Sequence, residues 1–142
     1  MQTFLPYESF SASAYALDRQ RLGKQRVEAW QILRVLTGQT NGWANHPAVK
    51  MWRGYDNALA YYGVRICSEW TGRGYKDTLL PKFIEHYSED ILTLPHWLGD
   101  EQFHTSHKSN LLRKDPEHYG QYWDNVPDDL PYVWPAELTK VK

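Results

Sequence analysis

Apolar positions along this chain recur at the three- and four-residue spacing of helices, and no stretch alternates as a strand requires. From Ser11 to Gly38 the pattern predicts one long helix with two characters. Leu22, Ala29, Trp30, Leu33 and Leu36 make an apolar side that needs a core, while Arg21, Lys24, Gln25 and Glu28 share another face. Past Glu28 the apolar positions spread around the helix through Ile32 and Val35, as in an element entering an interior. Asp18 is placed to cap a segment beginning at Arg19, so a break is expected there. After the loop QTNGWANHP, Pro47 suits the first turn of a second helix. Its stripe is Val49, Trp52, Leu59, Tyr62, Ile66 and Trp70, and Gly72 and Gly74 end it.

A third helix is expected after Asp77, with Leu80, Phe83, Ile84 and Tyr87 on its apolar side and Pro81 tolerated in its first turn. A loop through Pro95 and Gly99 leads to a fourth, DEQFHTSHKSNLLRK, and Asp115-Pro116 starts a short fifth. Ahead of these helices, Phe4-Leu5 stopped by Pro6 reads as an extended arm. From Asp124 the proline-spaced, aromatic stretch reads as an extended tail packed on the body. The expectation is an all-α, compact single-domain bundle over residues 1–142, built around the long N-terminal helix and the long second helix.

Composition fits a globular protein: 142 residues suffice for one core, with 42% apolar and 23% charged residues. The single cysteine, Cys67, excludes an internal disulfide framework and a cysteine-based zinc site. No apolar run reaches membrane-spanning length and no signal pattern opens the chain, so a cytoplasmic protein without a membrane partner is expected, as a monomer. A net charge of -1 counts against a uniformly basic nucleic-acid binder. The distribution softens that objection, because Asp18 to Arg34 carries a local balance of +3 and Gly120 to Lys142 one of -2. Seven Trp and ten Tyr are many for this length, and aromatics that serve cores also stack on bases.

Glu28, with Lys24 four residues before it and Arg21 seven before, is the first candidate for chemistry, although a solvated ion-paired face produces the same spacing. His104 and His107 could share a partner, but a metal would need a further donor such as His46, Asp100 or Glu101, and neither HExxH nor EF-hand spacing occurs. No metal and no cofactor is expected. The segment containing His107, Lys108, Ser109, Arg113 and Lys114 sets donors every few residues, which suits phosphate contacts. No GxSxG, P-loop or Rossmann fingerprint is present, so serine hydrolase and nucleotide-driven chemistry have no support.

Three pieces in order resemble the pyrimidine-dimer DNA glycosylases of the phage endonuclease V type, small helical repair enzymes that also cleave the abasic site they create. LDRQRLGKQRVE is similar to that family's first helix, with Glu28 on its catalytic glutamate. HPAVKMWRGYDNALAYYGVRICSEWTGRGYKDT is similar to its second helix, from the leading His46 to the turn at Arg73, Gly74 and Tyr75. HKSNLLRKDPEHYGQYW resembles its C-terminal helix and aromatic cluster. The resemblance implies attack of a primary amine on the sugar carbon bearing the lesion base, a Schiff base, and a glutamate that stabilises the cationic sugar and assists strand cleavage. It also implies duplex DNA as partner, with the target extracted from the stack. Pattern and resemblance together make Arg21, Gln25, Arg26, His46, Arg73, His107, Lys108, Ser109 and Arg113 the expected DNA contacts, and a groove shared by the Arg21–Glu28 face with His46, Arg73, His107, Lys108 and Arg113 is predicted.

The chain departs from the family at the nucleophile. There the attacking amine belongs to a threonine exposed by methionine removal; here the bulky Gln2 should block that removal, and Thr3 stands one place late. Val27 replaces the arginine that precedes the glutamate, with Arg26 one residue earlier. Three routes stay open: the Met1 amine attacks, Lys24 attacks, or lyase chemistry is absent. An ordinary α-amine, with a pKa of about 8, is freer of its proton near neutrality than an ordinary lysine at about 10. The leading expectation is a glycosylase for a damaged or modified pyrimidine, with or without lyase activity. A base-modifying enzyme on the same scaffold and an inactive DNA-binding module are the alternatives.

Overall fold

The computed structural model describes residues 1–135, so positions 136–142 of the expected domain and tail lie outside the described residues. Every regular element among them is helical: α1 (Phe10–Ala16), α2 (Arg19–Leu36), α3 (Pro47–Lys50), α4 (Asp56–Gly72), α5 (Leu80–His86), a 3₁₀ turn over Glu89–Ile91, α6 (Glu101–Lys114) and α7 (Pro116–Gly120). No helix among the described residues is long and apolar enough to cross a membrane.

Side chains just ahead of the helices explain where they start. Ser9, Asp18, Asp100 and Asp115 each accept a hydrogen bond from a first-turn N–H, and His46 Nδ1 does the same for Ala48. Asp18 thus separates α1 from α2, as its position predicts. The second helix, expected to be continuous from Pro47, is instead divided into α3 and α4. Gly54 takes a φ of 87° between them, a left-handed conformation that ends the first segment cheaply only at glycine. Val49 and Trp52 still face inward because the turn keeps them on the core side.

α4 is the central strut, packed against α1, α2 and α5. Its buried side carries Leu59, Tyr62 and Ile66, and Gly63 lets α5 approach so closely that a Cβ there would overlap the Phe83 ring. Much of the aromatic content fills this interior: Trp52, Trp97, Tyr62, Tyr119, Phe83 and Phe103 are all fully buried.

Polar side chains close the joints between elements. Arg73, braced by Glu69, donates to the carbonyls of Ala14, Tyr15 and Leu17 at the end of α1, where Ala14 O also accepts the Leu17 N–H. The Tyr119 hydroxyl donates to Asp18 and receives the Asp18 N–H, docking α7 onto the α1–α2 break. Arg26 pairs with the enclosed Asp77 carboxylate and lies 4.7 Å over the Trp70 ring. Burial works to raise the Asp77 carboxyl, but hydrogen bonds from Arg26, Leu80 N and Leu79 N outweigh it and hold Asp77 below its usual range. Beyond α7 the chain runs along α6, where Leu130 N and Val133 N donate to Ser109 Oγ and Ser106 Oγ. Arg113 and Asn110 both donate to the Leu130 carbonyl from the same helix.

Candidate active site

The site is built on the first five residues, which thread through the body held by Gln25, Trp52, Tyr62, His104 and His107. Phe4 N donates to Gln25 Oε1 at 2.9 Å, and Gln25 Nε2 donates to the Gln2 carbonyl at 2.8 Å. Tyr62 Oη lies 2.8 Å from the Phe4 carbonyl, and Trp52 Nε1 donates to Thr3 Oγ1 at 3.0 Å. Leu5 is held from α6 by two histidines: its N–H donates to His107 Nδ1 at 2.9 Å, and its carbonyl lies 2.7 Å from His104 Nδ1. Gly99 N donates to His104 Nε2, so the proton of that ring sits on Nδ1 and points at Leu5. Enclosure favours the neutral ring: burial, with His104 adding to it, pushes His107 down to about 3.

This clamp delivers the Met1 amine to a cleft that Glu28, Arg21, Lys24, Lys114 and Tyr132 also line. The α-amino nitrogen lies 4.0 Å from Glu28 Oε1. Lys24 Nζ lies 4.0 Å from the same oxygen but from the open side, its side chain 72% exposed against 12% for Glu28. The other carboxylate oxygen accepts from Gln25 Nε2 at 3.0 Å. One buried amide therefore fixes both the arm that carries the amine and the carboxylate facing it. Gln2 holds its own backbone neighbour through Oε1, which accepts from Thr3 N, while its buried Nε2 has no partner. Burial pushes the Tyr132 phenol up to about 12 against the pull of Arg113, so its hydroxyl keeps a proton to donate into the cleft.

His46 stands beside this group. Burial first and the terminal amine second push its imidazole below the ordinary range, with Glu28 pulling the other way. Its ring meets Trp43 on one side and Trp134 on the other, at 6.0 and 6.4 Å between centroids.

Arg21, Lys24 and Glu28 thus reach one cleft, and Gln25 lies beneath it with 1% exposure rather than along it. Of the wider groove anticipated for His46, Arg73, His107, Lys108 and Arg113, His46 stands by the cleft and the other four do not gather there. Arg73 serves the end of α1, His107 is buried under the arm, and Arg113 holds the tail. Lys108 Nζ lies 4.9 Å from the Tyr7 ring, and Ser109 is buried with its hydroxyl committed to Leu130. Arg26 is likewise spent on Asp77. Four of them are spent on backbone groups that need partners: Arg73 and Arg113 donate to carbonyls, while His107 and Ser109 accept the N–H groups of Leu5 and Leu130. Arg26 and Lys108 are instead engaged by side chains. Sequence spacing missed Gln2, Trp43, Tyr132 and Trp134, because their placement depends on contacts among segments distant in the chain. The Met1–Gln2 departure from the resembling family was the one sign that pointed towards Gln2.

A family model described as pyrimidine dimer DNA glycosylase matches residues 1–82, which include Met1, Arg21, Lys24, Gln25, Glu28 and His46. Comparison with curated proteins and with solved structures gives no match.

Proposed function

The chain belongs to the pyrimidine dimer DNA glycosylase family, and on that premise we propose that it excises a damaged or modified pyrimidine from duplex DNA with the Met1 α-amine as nucleophile and Glu28 as its carboxylate partner. The observation that carries this reading is the 4.0 Å separation of the amine from Glu28 Oε1 at an open cleft. In the unprotonated state the amine nitrogen attacks C1′ of the deoxyribose. The C1′–N1 bond breaks, and the base leaves with the electron pair and takes up a proton. Glu28 stabilises the positive charge that develops at C1′ and O4′. Loss of a proton from nitrogen and protonation of O4′ then open the ring to a Schiff base. Removal of a C2′ proton by Glu28 expels the 3′ phosphate and cuts the strand.

Arg21, Lys24 and Lys114 supply the positive rim that meets the phosphates in this reading, and His46 stands next to the reacting sugar. Gln25, Arg26, Arg73, His107, Lys108, Ser109 and Arg113 act indirectly, by holding the frame. Lys24 is the competing nucleophile, since its Nζ is as near to Glu28 as the terminal amine. Its side chain extends into solvent, 72% exposed, whereas the arm holds the terminal amine at the cleft with the Met1 side chain 6% exposed.

Borohydride trapping on duplexes containing lesions or abasic sites separates the routes. The wild-type protein is expected to form a covalent adduct, Lys24→Ala to retain it, and both an N-terminal extension and Glu28→Gln to lose it. An extended protein that still traps, alongside a Lys24→Ala variant that does not, moves the nucleophile to the lysine. Base release without trapping in any form leaves a glycosylase that uses water, with Glu28 as its base.

A further inference from the structure

Trp43 stands apart from the other six tryptophans of the chain. It is the one that is exposed, at 62%, while the rest lie in or against the core. It is also the one non-glycine residue of the described chain with a positive φ, 69°. A bulky side chain is strained there, so the surrounding structure must impose the conformation. The turn is in fact pinned. His46 N donates to the Trp43 carbonyl at 2.9 Å, and Arg53 Nη2 donates to the Ala44 carbonyl at 3.1 Å. A rigid turn thus presents an indole to solvent.

Its position relates it to the cleft. From Trp43 an arc of rings passes through His46 and Trp134 to Tyr132, with Trp134 and Tyr132 5.8 Å apart, and Tyr132 lines the cleft of Met1 and Glu28. The charge around it suits a polyanion. From Ala29 to Tyr55 the chain has no acidic residue, and Arg34, Lys50 and Arg53 are all exposed. Single exposed aromatics are ordinary on protein surfaces. A strained, pinned and exposed tryptophan, joined through the His46 ring to an amine–carboxylate pair and set on a stretch free of carboxylates, has the chemistry of a base-stacking group.

We propose that Trp43 enters the base stack of bound duplex DNA next to the nucleotide presented to Met1 and Glu28, stacking on the neighbouring base and filling the gap that the extracted nucleotide leaves. The inference rests on the glycosylase reading for what is presented. It predicts preference for a duplex already holding a gap, because no base then has to be displaced.

The test compares binding to a duplex containing a tetrahydrofuran abasic analogue with binding to the intact duplex. Wild-type protein is expected to prefer the gapped duplex. Trp43→Ala should lose about tenfold or more of that affinity, the worth of one base–aromatic stack, and stay within about twofold on intact duplex. Trp43→Phe should recover most of the preference. Absence of a wild-type preference, or equal effects of Trp43→Ala on both duplexes, overturns the proposal. Borohydride trapping of the wild-type protein on an abasic duplex runs beside it as the separate test of the amine chemistry. A wild-type protein that does not trap counts against the amine chemistry, and the binding comparison still decides the role of Trp43.

Discussion

Gln25 shows how much one neutral side chain can hold. Its oxygen receives Phe4 N and lies 2.7 Å from Tyr62 Oη, and its nitrogen donates to the Gln2 carbonyl and to Glu28 Oε2. Both hydrogen-bonding ends of the amide are thus fully used, and two of its contacts set the geometry between amine and carboxylate. Gln25→Leu keeps most of the volume and removes every one of these bonds. Each buried group left unpaired costs about 1–3 kcal/mol, so a loss of about 3 kcal/mol in stability is expected, read as the urea midpoint. Trapping of abasic DNA should fall at temperatures where the variant is still folded, because the arm no longer holds the amine against Glu28. A stable variant with unaltered trapping would show that the arm is positioned without this amide. Sequence placed Gln25 correctly on a face with Arg21, Lys24 and Glu28 but not in depth. Helical spacing states which residues share a side, whereas burial depends on what covers that side, here an N-terminal arm whose Phe4-Leu5 pair was the one visible hint.

At the scale of elements, start signals were more legible than packing. Asp18, Asp115 and Pro47 mark helix starts where local side-chain chemistry suffices to set them. The division of the second helix escaped because the stripe from Val49 to Trp70 continues across the Gly54 turn in phase with the core. Nor did periodicity reveal that α4 and α5 meet at Gly63. The Phe83 ring occupies the place of the missing Cβ there, and Phe83 in turn packs edge-on against Trp30 of α2 at 5.6 Å. Gly63→Ala would ordinarily help a helix through propensity, by about 1 kcal/mol. Here the overlap falls on a fully buried ring with little room to move, and overpacking of that kind costs about 1–3 kcal/mol. The net expectation is a variant less stable than the wild type in urea, by up to about 2 kcal/mol. A gain in stability would mean that α5 can shift outward freely.

Across the whole molecule, the clamp on the arm ties the candidate site to α6 and to the described part of the tail. His107 sits at that junction, accepting Leu5 N on one side, with the Phe103 ring 4.4 Å and the Tyr132 ring 5.5 Å away. It is neutral in the fold, held at about 3, while the same side chain in an unfolded chain titrates at about 6.5. The unfolded state therefore binds the extra proton first as pH falls. The stability that depends on a neutral His107 is complete above pH of about 6.5 and drains away as the pH drops towards about 3. Within that window one such group changes the unfolding free energy by about 1.4 kcal/mol per pH unit. His104, lowered by burial against the pull of Leu5, Glu8 and Asp100, adds in the same direction. Urea unfolding measured between pH 6 and pH 4.5 should show this loss in the wild type. His107→Asn keeps an acceptor near Leu5 N and removes the titrating ring, so its stability is lower throughout but its slope is shallower by close to one proton. Equal slopes in the two proteins would mean that the imidazole is open to protons in the folded state, and that the arm carrying the amine is not sealed beneath α6.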